Sequence, residues 1–179
     1  RAACHIGDLG ALAGDVGFLP TSSFCGRIRG VVLNMTAALC GNRFSRGLLR
    51  PGGVTQDIDK PIVAHLLGQL RTVRRDAIDA VNLLWETPTV MARFEGTGVL
   101  TREDAVAVGL VGPASRACGV ARDVRSTFPY AGYDEAPIPT GTDETGDVLA
   151  RARVRIREVV QSLDYVGKHL LALPDSPLF

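Results

Sequence analysis

The sequence predicts a mainly α-helical fold, an antiparallel bundle of about four long helices with a loop-rich insertion before the last one. Three observations carry this. Leu149, Ala152, Ile156, Val159, Leu163, Val166, Leu170 and Leu173 recur at alternating steps of three and four, the seam of a helix lying along another at a shallow angle. Ile62, Leu66, Leu70, Val73, Ala77, Val81 and Leu84 repeat the pattern earlier in the chain, with the helical period. Between the two, residues 120–146 carry Pro129, Pro137, Pro139 and several glycines and read as a long loop. Loops of that length in a compact domain tend to be functional or wrapped against a partner. With no internal repeat, residues 1–179 read as a single helical domain.

The first helix is expected over residues 3–17, where Ile6, Leu9, Ala13 and Val16 form one stripe. Asp8 and Asp15 lie seven apart and share a face. Asp8 reads as a solvated carboxylate. Asp15, between Gly14 and the run Val16, Gly17, Phe18, is expected to be partly buried. After Pro20, the residues Thr21, Ser22 and Ser23 offer N-caps for a second helix reaching about Leu39. Its stripe is Phe24, Ile28, Val31, Met35 and Leu39, with Arg27 and Arg29 beside it.

A corner from Gly41 to Val54 follows. It places Arg43, Arg46 and Arg50 among glycines and Pro51. Pro51 disfavours a helical Arg50 and pushes it to extended backbone. An ordinary interhelical loop accounts for the Gly-Gly pair alone. The whole run reads more sharply, as a rigid, cationic corner that exposes its backbone.

Pro61 suits the first turn of a third helix, because its missing N–H costs nothing there. That helix closes at Trp85, and Arg71, Arg74, Arg75, Asp76 and Asp79 fill its remaining faces. Residues 88–100 read as mixed, interrupted by Gly96 and Gly98. Thr101-Arg102-Glu103-Asp104 resembles a capping box and should open a short helix ending at Gly109. Gly112-Pro113 starts another short turn, stopped at Gly119. On the last helix Arg151, Arg155 and Glu158 ride the flank of the seam, and Pro174 ends it.

Composition excludes several classes of function. A chain of 179 residues, 46% hydrophobic and 22% charged, can bury a sizeable core without disulfides. A formal net charge of +1 gives no case for nucleic acid as a partner. Cys4, Cys25, Cys40 and Cys118 form no Cys-x-x-Cys pair, and His5, His65 and His169 lie near no ligand set. The expectation is therefore no metal site and no cofactor held by this stretch alone. No apolar run reaches the roughly 20 residues a membrane span requires. The chain begins at Arg1 and reads as cut from something longer.

Several blocks, taken in order, resemble one family. They are His5-Ile6-Gly7-Asp8-Leu9-Gly10-Ala11-Leu12 with Asp15-Val16-Gly17, Gly41-Asn42-Arg43-Phe44, and Arg50-Pro51-Gly52-Gly53-Val54. Further on come Gly109-Leu110-Val111-Gly112-Pro113, Arg116-Ala117-Cys118-Gly119, Asp123-Val124-Arg125, Pro129-Tyr130 with Tyr133, and Gly146-Asp147-Val148. The set resembles the quinone-cavity subunit of NADH-quinone oxidoreductase (complex I). It is also similar to the large subunits of membrane-bound nickel-iron hydrogenases of the formate hydrogenlyase type.

The resemblance implies a middle portion of the large subunit of a membrane-associated redox complex. That portion would be inactive alone, cytoplasmic, and held at the inner membrane through partner subunits. The full subunit would bind quinone or a nickel-iron centre, with an iron-sulfur cluster on a small partner subunit. Asp15 matches an aspartate that supports a pocket histidine of an upstream segment. Arg43 and Arg50 match arginines facing the cavity and the iron-sulfur partner. Ser45 stands where complex I proteins usually have a histidine, which tilts the resemblance toward the hydrogenase-like branch. The competing expectation is a structural or regulatory helical-bundle module without redox chemistry. It accounts for the heptads but not for the Arg-Pro-Gly-Gly corner. Exposed partner surface further predicts that the isolated chain self-associates.

Overall fold

The computed structural model describes residues 1–174 and is mainly helical. In chain order the elements are α1 (Ala2–Asp15), α2 (Leu19–Cys40), the strands β1 (Leu49–Arg50) and β2 (Gly53–Val54), α3 (Lys60–Trp85), α4 (Pro88–Phe94), α5 (Arg102–Ala107), α6 (Gly112–Arg116), α7 (Val124–Thr127) and α8 (Val148–Leu171).

The long helices pack α1 on α2, α2 on α3, α3 on α8, and α8 back on α1. Contacts across each pair run in opposite sequence directions. Gly7 faces Arg29 while Gly14 faces Ser22. Thr21 bonds Ala80 while Arg27 bonds Asp76. Leu70 meets Gly167 and Arg74 meets Asp164. Arg1 bonds Ser162 while Asp8 pairs with Arg155. Neighbouring helices are thus antiparallel, and their apolar stripes meet in one core that includes Ile6, Leu9, Ile28, Leu66, Val73, Val81, Leu84, Val159 and Leu163.

Local chemistry explains most boundaries. Asp59 caps α3 by accepting from the Ile62 N–H at 2.8 Å, with Pro61 in the first turn as expected. Thr101 caps α5 by accepting from the Asp104 N–H at 3.1 Å. Asp147 caps α8 through the Ala150 N–H at 2.8 Å and accepts from the Gly96 N–H at 2.9 Å, tying the exit of α4 to the start of α8.

Four expectations are corrected. The second helix begins at Leu19, not after the Thr21–Ser23 caps. Pro20 is tolerated in a first turn, so Thr21 lies inside the helix, fully buried, with its hydroxyl donating to the Ala80 carbonyl at 2.8 Å. Within residues 88–100, read as mixed, residues 88–94 form a regular helix, α4, anchored by buried Val90 and Phe94. Val166 of the seam is exposed, because the packing of α8 against α3 and α1 leaves that side uncovered. Asp76, placed on an outer face, is buried and pairs with Arg27 of α2 at 2.7 Å. A small second core lies where the insertion meets α8. Ala117 of the α6 exit packs on Ala150 and Val154 of α8, and all three are fully buried. Gly146 N–H donates to the Ala117 carbonyl at 2.9 Å and Asp143 N–H to that of Arg116 at 2.9 Å.

Candidate functional site

The Gly41–Val54 corner folds into a two-stranded antiparallel hairpin pairing Leu49 with Val54 and Arg50 with Gly53. Pro51 and Gly52 form its turn. Gly52 has φ +90°, the value a type II turn demands at its third position, with proline favoured before it. Arg50 is therefore on extended backbone, as Pro51 implies. The Asn42 side chain fixes the entry to the corner by accepting from the Phe44 N–H at 2.9 Å. The corner is largely exposed: Arg43, Arg46 and Arg50 are all at the surface, beside Phe44 and Leu49 at 65% and 79% exposure. The Arg43 guanidinium folds back along α2 to within 4.0 Å of where a Gly30 Cβ would stand.

Asp15 ends α1 and is exposed, contrary to the burial expected from its neighbours. The turn at Gly17, φ +76°, carries the chain away before Phe18 can cover it. Its carboxylate makes no side-chain hydrogen bond or ion pair among the described residues. Asp15 lies beside the first turn of α2, roughly three helical turns from Gly30. The structure therefore does not bring Asp15 together with Arg43. Asp8, expected to be solvated, pairs with Arg155 at 2.9 Å.

The densest charged constellation lies elsewhere. Glu158 of α8, expected on an outer flank, is fully buried. Its Oε1 lies 2.6 Å from Arg116 Nε, and its Oε2 accepts from Arg116 Nη2 at 3.0 Å. Oε2 is also 2.7 Å from His5 Nε2 and 3.9 Å from Arg1 Nη1. Burial alone would raise the Glu158 carboxyl. The His5 hydrogen bond and the Arg116 guanidinium outweigh it and hold the group at about 2. An ionised carboxylate accepts only, so His5 Nε2 is the donor. Arg116 continues outward, donating to the Arg122 carbonyl at 3.2 Å and lying 3.9 Å from Asp123, which pairs with Arg125 at 3.0 Å. Arg1 Nε donates to Ser162 at 2.7 Å.

Of these, Arg1, His5, Arg116, Arg122, Asp123 and Arg125 line a cavity of about 690 Å³ whose walls include Val111, Pro113, Val124 and Phe128. Glu158 stays ionised across the working pH range, so its carboxylate acts here as a fixed charge. His5, Arg116, Asp123 and Arg125 fall within the family-like blocks, but nothing in their spacing assigns them a role, and Glu158 reads as a flank residue. One signal was present: Arg151, Arg155, Glu158 and Ser162 form a polar stripe at steps of four, three and four. Such a stripe is ordinarily solvated. It turns inward here only because α1 and α6 both pack on α8.

Residues 15–179 match the family described as respiratory-chain NADH dehydrogenase, 49 Kd subunit. The carbon monoxide-induced hydrogenase of Rhodospirillum rubrum is 35% identical over 99% of this chain and 49% of its own length. NADH-quinone oxidoreductase subunit 4 of Thermus thermophilus is 33% identical over 99% of this chain and 44% of its own. In the solved structure of the membrane-bound sulfane sulfur reductase, an archaeal respiratory membrane complex, one chain superposes with a TM-score of 0.87 at 28% identity, covering 99% of this chain and 48% of that one. This chain thus spans about half the length of the curated relatives it matches. Those relatives carry the names of redox enzymes, which sets aside the regulatory helical-bundle module.

Proposed function

The chain belongs to the family of the 49 Kd subunit of respiratory-chain NADH dehydrogenase, and from that premise we propose that it forms the helical core of the large subunit of a membrane-associated redox complex, with the Gly41–Val54 corner seated on an iron-sulfur small subunit. The observation that carries this reading is the corner's surface. Arginines stand beside an exposed phenylalanine and an exposed leucine on a hairpin stiffened by Pro51. Arginine and aromatic side chains are what protein interfaces concentrate, and a stiff backbone lowers the entropy lost on docking. Arg43 and Arg50 are partner-facing in this reading, and Asp15 supports a group contributed from outside the described residues. No described helix is long and apolar enough to cross a membrane; in this reading, attachment to the cytoplasmic face of the inner membrane runs through membrane subunits.

The donor set of the described residues does not fit a nickel-iron centre. No three His, Cys, Asp or Glu side chains converge to hold a metal ion among the described residues. Cys25, buried between helices, has its thiol pushed up to about 11 by desolvation, the opposite of what a thiolate ligand requires. A quinone or a metal centre in the whole subunit would draw its direct ligands from other residues, with this chain supplying wall and partner surface.

The test is Arg50. Lysine keeps the charge but loses the planar fork. In the intact complex Arg50→Lys should impair assembly nearly as much as Arg50→Ala, with co-purification of the iron-sulfur subunit and turnover measured separately. Full assembly and activity of Arg50→Ala would remove the corner from the interface.

A further inference from the structure

The Gly41–Val54 corner is braced from both ends by its own hydrogen bonds. Its strands are two residues each, Leu49–Arg50 and Gly53–Val54, and a two-stranded hairpin is marginal in water without further support. At the entry, the Asn42 side chain accepts from the Phe44 N–H at 2.9 Å and the Arg46 N–H at 3.4 Å. The Asn42 carbonyl accepts from the Ser45 N–H at 3.2 Å, and the Ser45 carbonyl from the Leu48 N–H at 3.2 Å. These bonds hold Ser45 at φ +58°, a left-handed backbone that a residue with a Cβ adopts only at a cost. At the exit, the Thr55 N–H donates to the Leu48 carbonyl at 2.9 Å. The Thr55 hydroxyl donates to the Gly47 carbonyl at 2.8 Å, with the Leu48 carbonyl oxygen 3.3 Å away.

The turn at the tip makes the exit brace necessary. A type II turn at Pro51 and Gly52 has a twist that does not match paired strands, and it splays them apart. With Leu49 against Val54 and Arg50 against Gly53 as the only paired residues, the ladder is too short to oppose that splay alone. Thr55 stands directly below the ladder and ties the two strands together at its base. The tie also guards the register. Side chains alternate faces along a strand, so a slip of one residue would turn Arg50 to the opposite side. Thr55 is itself exposed, so it adds nothing to the core of the bundle.

We propose that Thr55 is the positioning residue of the corner: its hydroxyl clamps the base of the hairpin and so sets the direction in which Arg50 meets the partner. This rests on the reading of the corner as the surface seated on the iron-sulfur subunit, and deepens it.

The experiment uses the full-length subunit and the iron-sulfur subunit of the same complex. Thr55→Val keeps the branched shape and removes the donor. It should speed amide exchange at Thr55 about fivefold, the equilibrium worth of one net hydrogen bond, and leave the urea midpoint unchanged. It should raise the Kd for the iron-sulfur subunit roughly two- to fivefold, because only the clamped fraction is ready to bind. Thr55→Ser keeps the hydroxyl and should restore both values. In an Arg50→Ala subunit, Thr55→Val should add almost nothing to the Kd, since the clamp acts through Arg50. Unchanged exchange in Thr55→Val, a lowered urea midpoint, failure of serine to restore binding, or additive losses with Arg50→Ala would overturn the proposal. If Arg50→Ala weakens binding and Thr55→Val does not, the positioning role alone falls. If Arg50→Ala binds as wild type, the interface reading falls with it.

Discussion

The most consequential single residue is Glu158, an ionised carboxylate with no exposed surface, held by Arg116 and His5. Glu158→Gln keeps the volume but leaves Arg116 buried beside a neutral amide. Breaking a buried pair in this way costs about 3–5 kcal/mol, and urea unfolding should show a loss of that order. The pH dependence has a definite sign. The carboxyl sits at about 2 in the folded chain against an ordinary 4.5. Its contribution is therefore complete above about pH 5 and is lost as pH falls toward 2. Unfolding followed across that window should steepen for wild type relative to Glu158→Gln. Asp15 is the opposite case, exposed and without a bonded partner among the described residues. Asp15→Asn should leave stability within about 0.5 kcal/mol of wild type. If Asp15 supports a group in the intact subunit, turnover should still fall, because the amide keeps the shape and drops the charge. Unchanged turnover would remove Asp15 from the site.

At the scale of elements, the joints between helices are more specific than the helices themselves. Gly146 precedes the α8 cap with φ +67°, and a Cβ there would stand 2.0 Å from the Leu100 carbonyl oxygen. Alanine would meet both a left-handed backbone and a fixed carbonyl, at a combined cost of about 2–5 kcal/mol. Gly146→Ala should therefore lower the urea midpoint and loosen the insertion, seen as faster amide exchange at Ala117 and Val148. Thr21→Val isolates a second joint. It removes the bond between α2 and the Ala80 carbonyl of α3 while keeping the side-chain shape, and should cost about 1 kcal/mol.

For the whole molecule, the question is what remains uncovered. Phe44 and Leu49 on the corner, and Val106, Val108, Val111 and Phe128 on the insertion, are all more than half exposed. Surface of this kind marks interaction sites or drives association. The isolated chain should self-associate as its concentration rises, and sedimentation equilibrium should show a concentration-dependent mass. A monomer at millimolar concentration would argue that neither face is built for a partner. Converting Val108 and Phe128 to serine should reduce the association without lowering the unfolding midpoint, since neither side chain contributes to the core.

The helical fold was legible in the chain because it rests on local periodicity. The stripes of α1, α3 and most of α8 need only sequence spacing to be seen, and the Asp59, Thr101 and Asp147 caps act within three residues of themselves. The extended Arg50 followed likewise from Pro51. What tertiary structure alone decided is which polar residues turn inward. Thr21, Asp76 and Glu158 carry no local mark of burial. Each is buried because a distant element meets it: Ala80 across 59 residues, Arg27 across 49, His5 across 153. A polar side chain enters a core only where a partner at hydrogen-bond distance offsets its desolvation. That partner is supplied by the packing of helices far apart in the chain, so no window of sequence contains it.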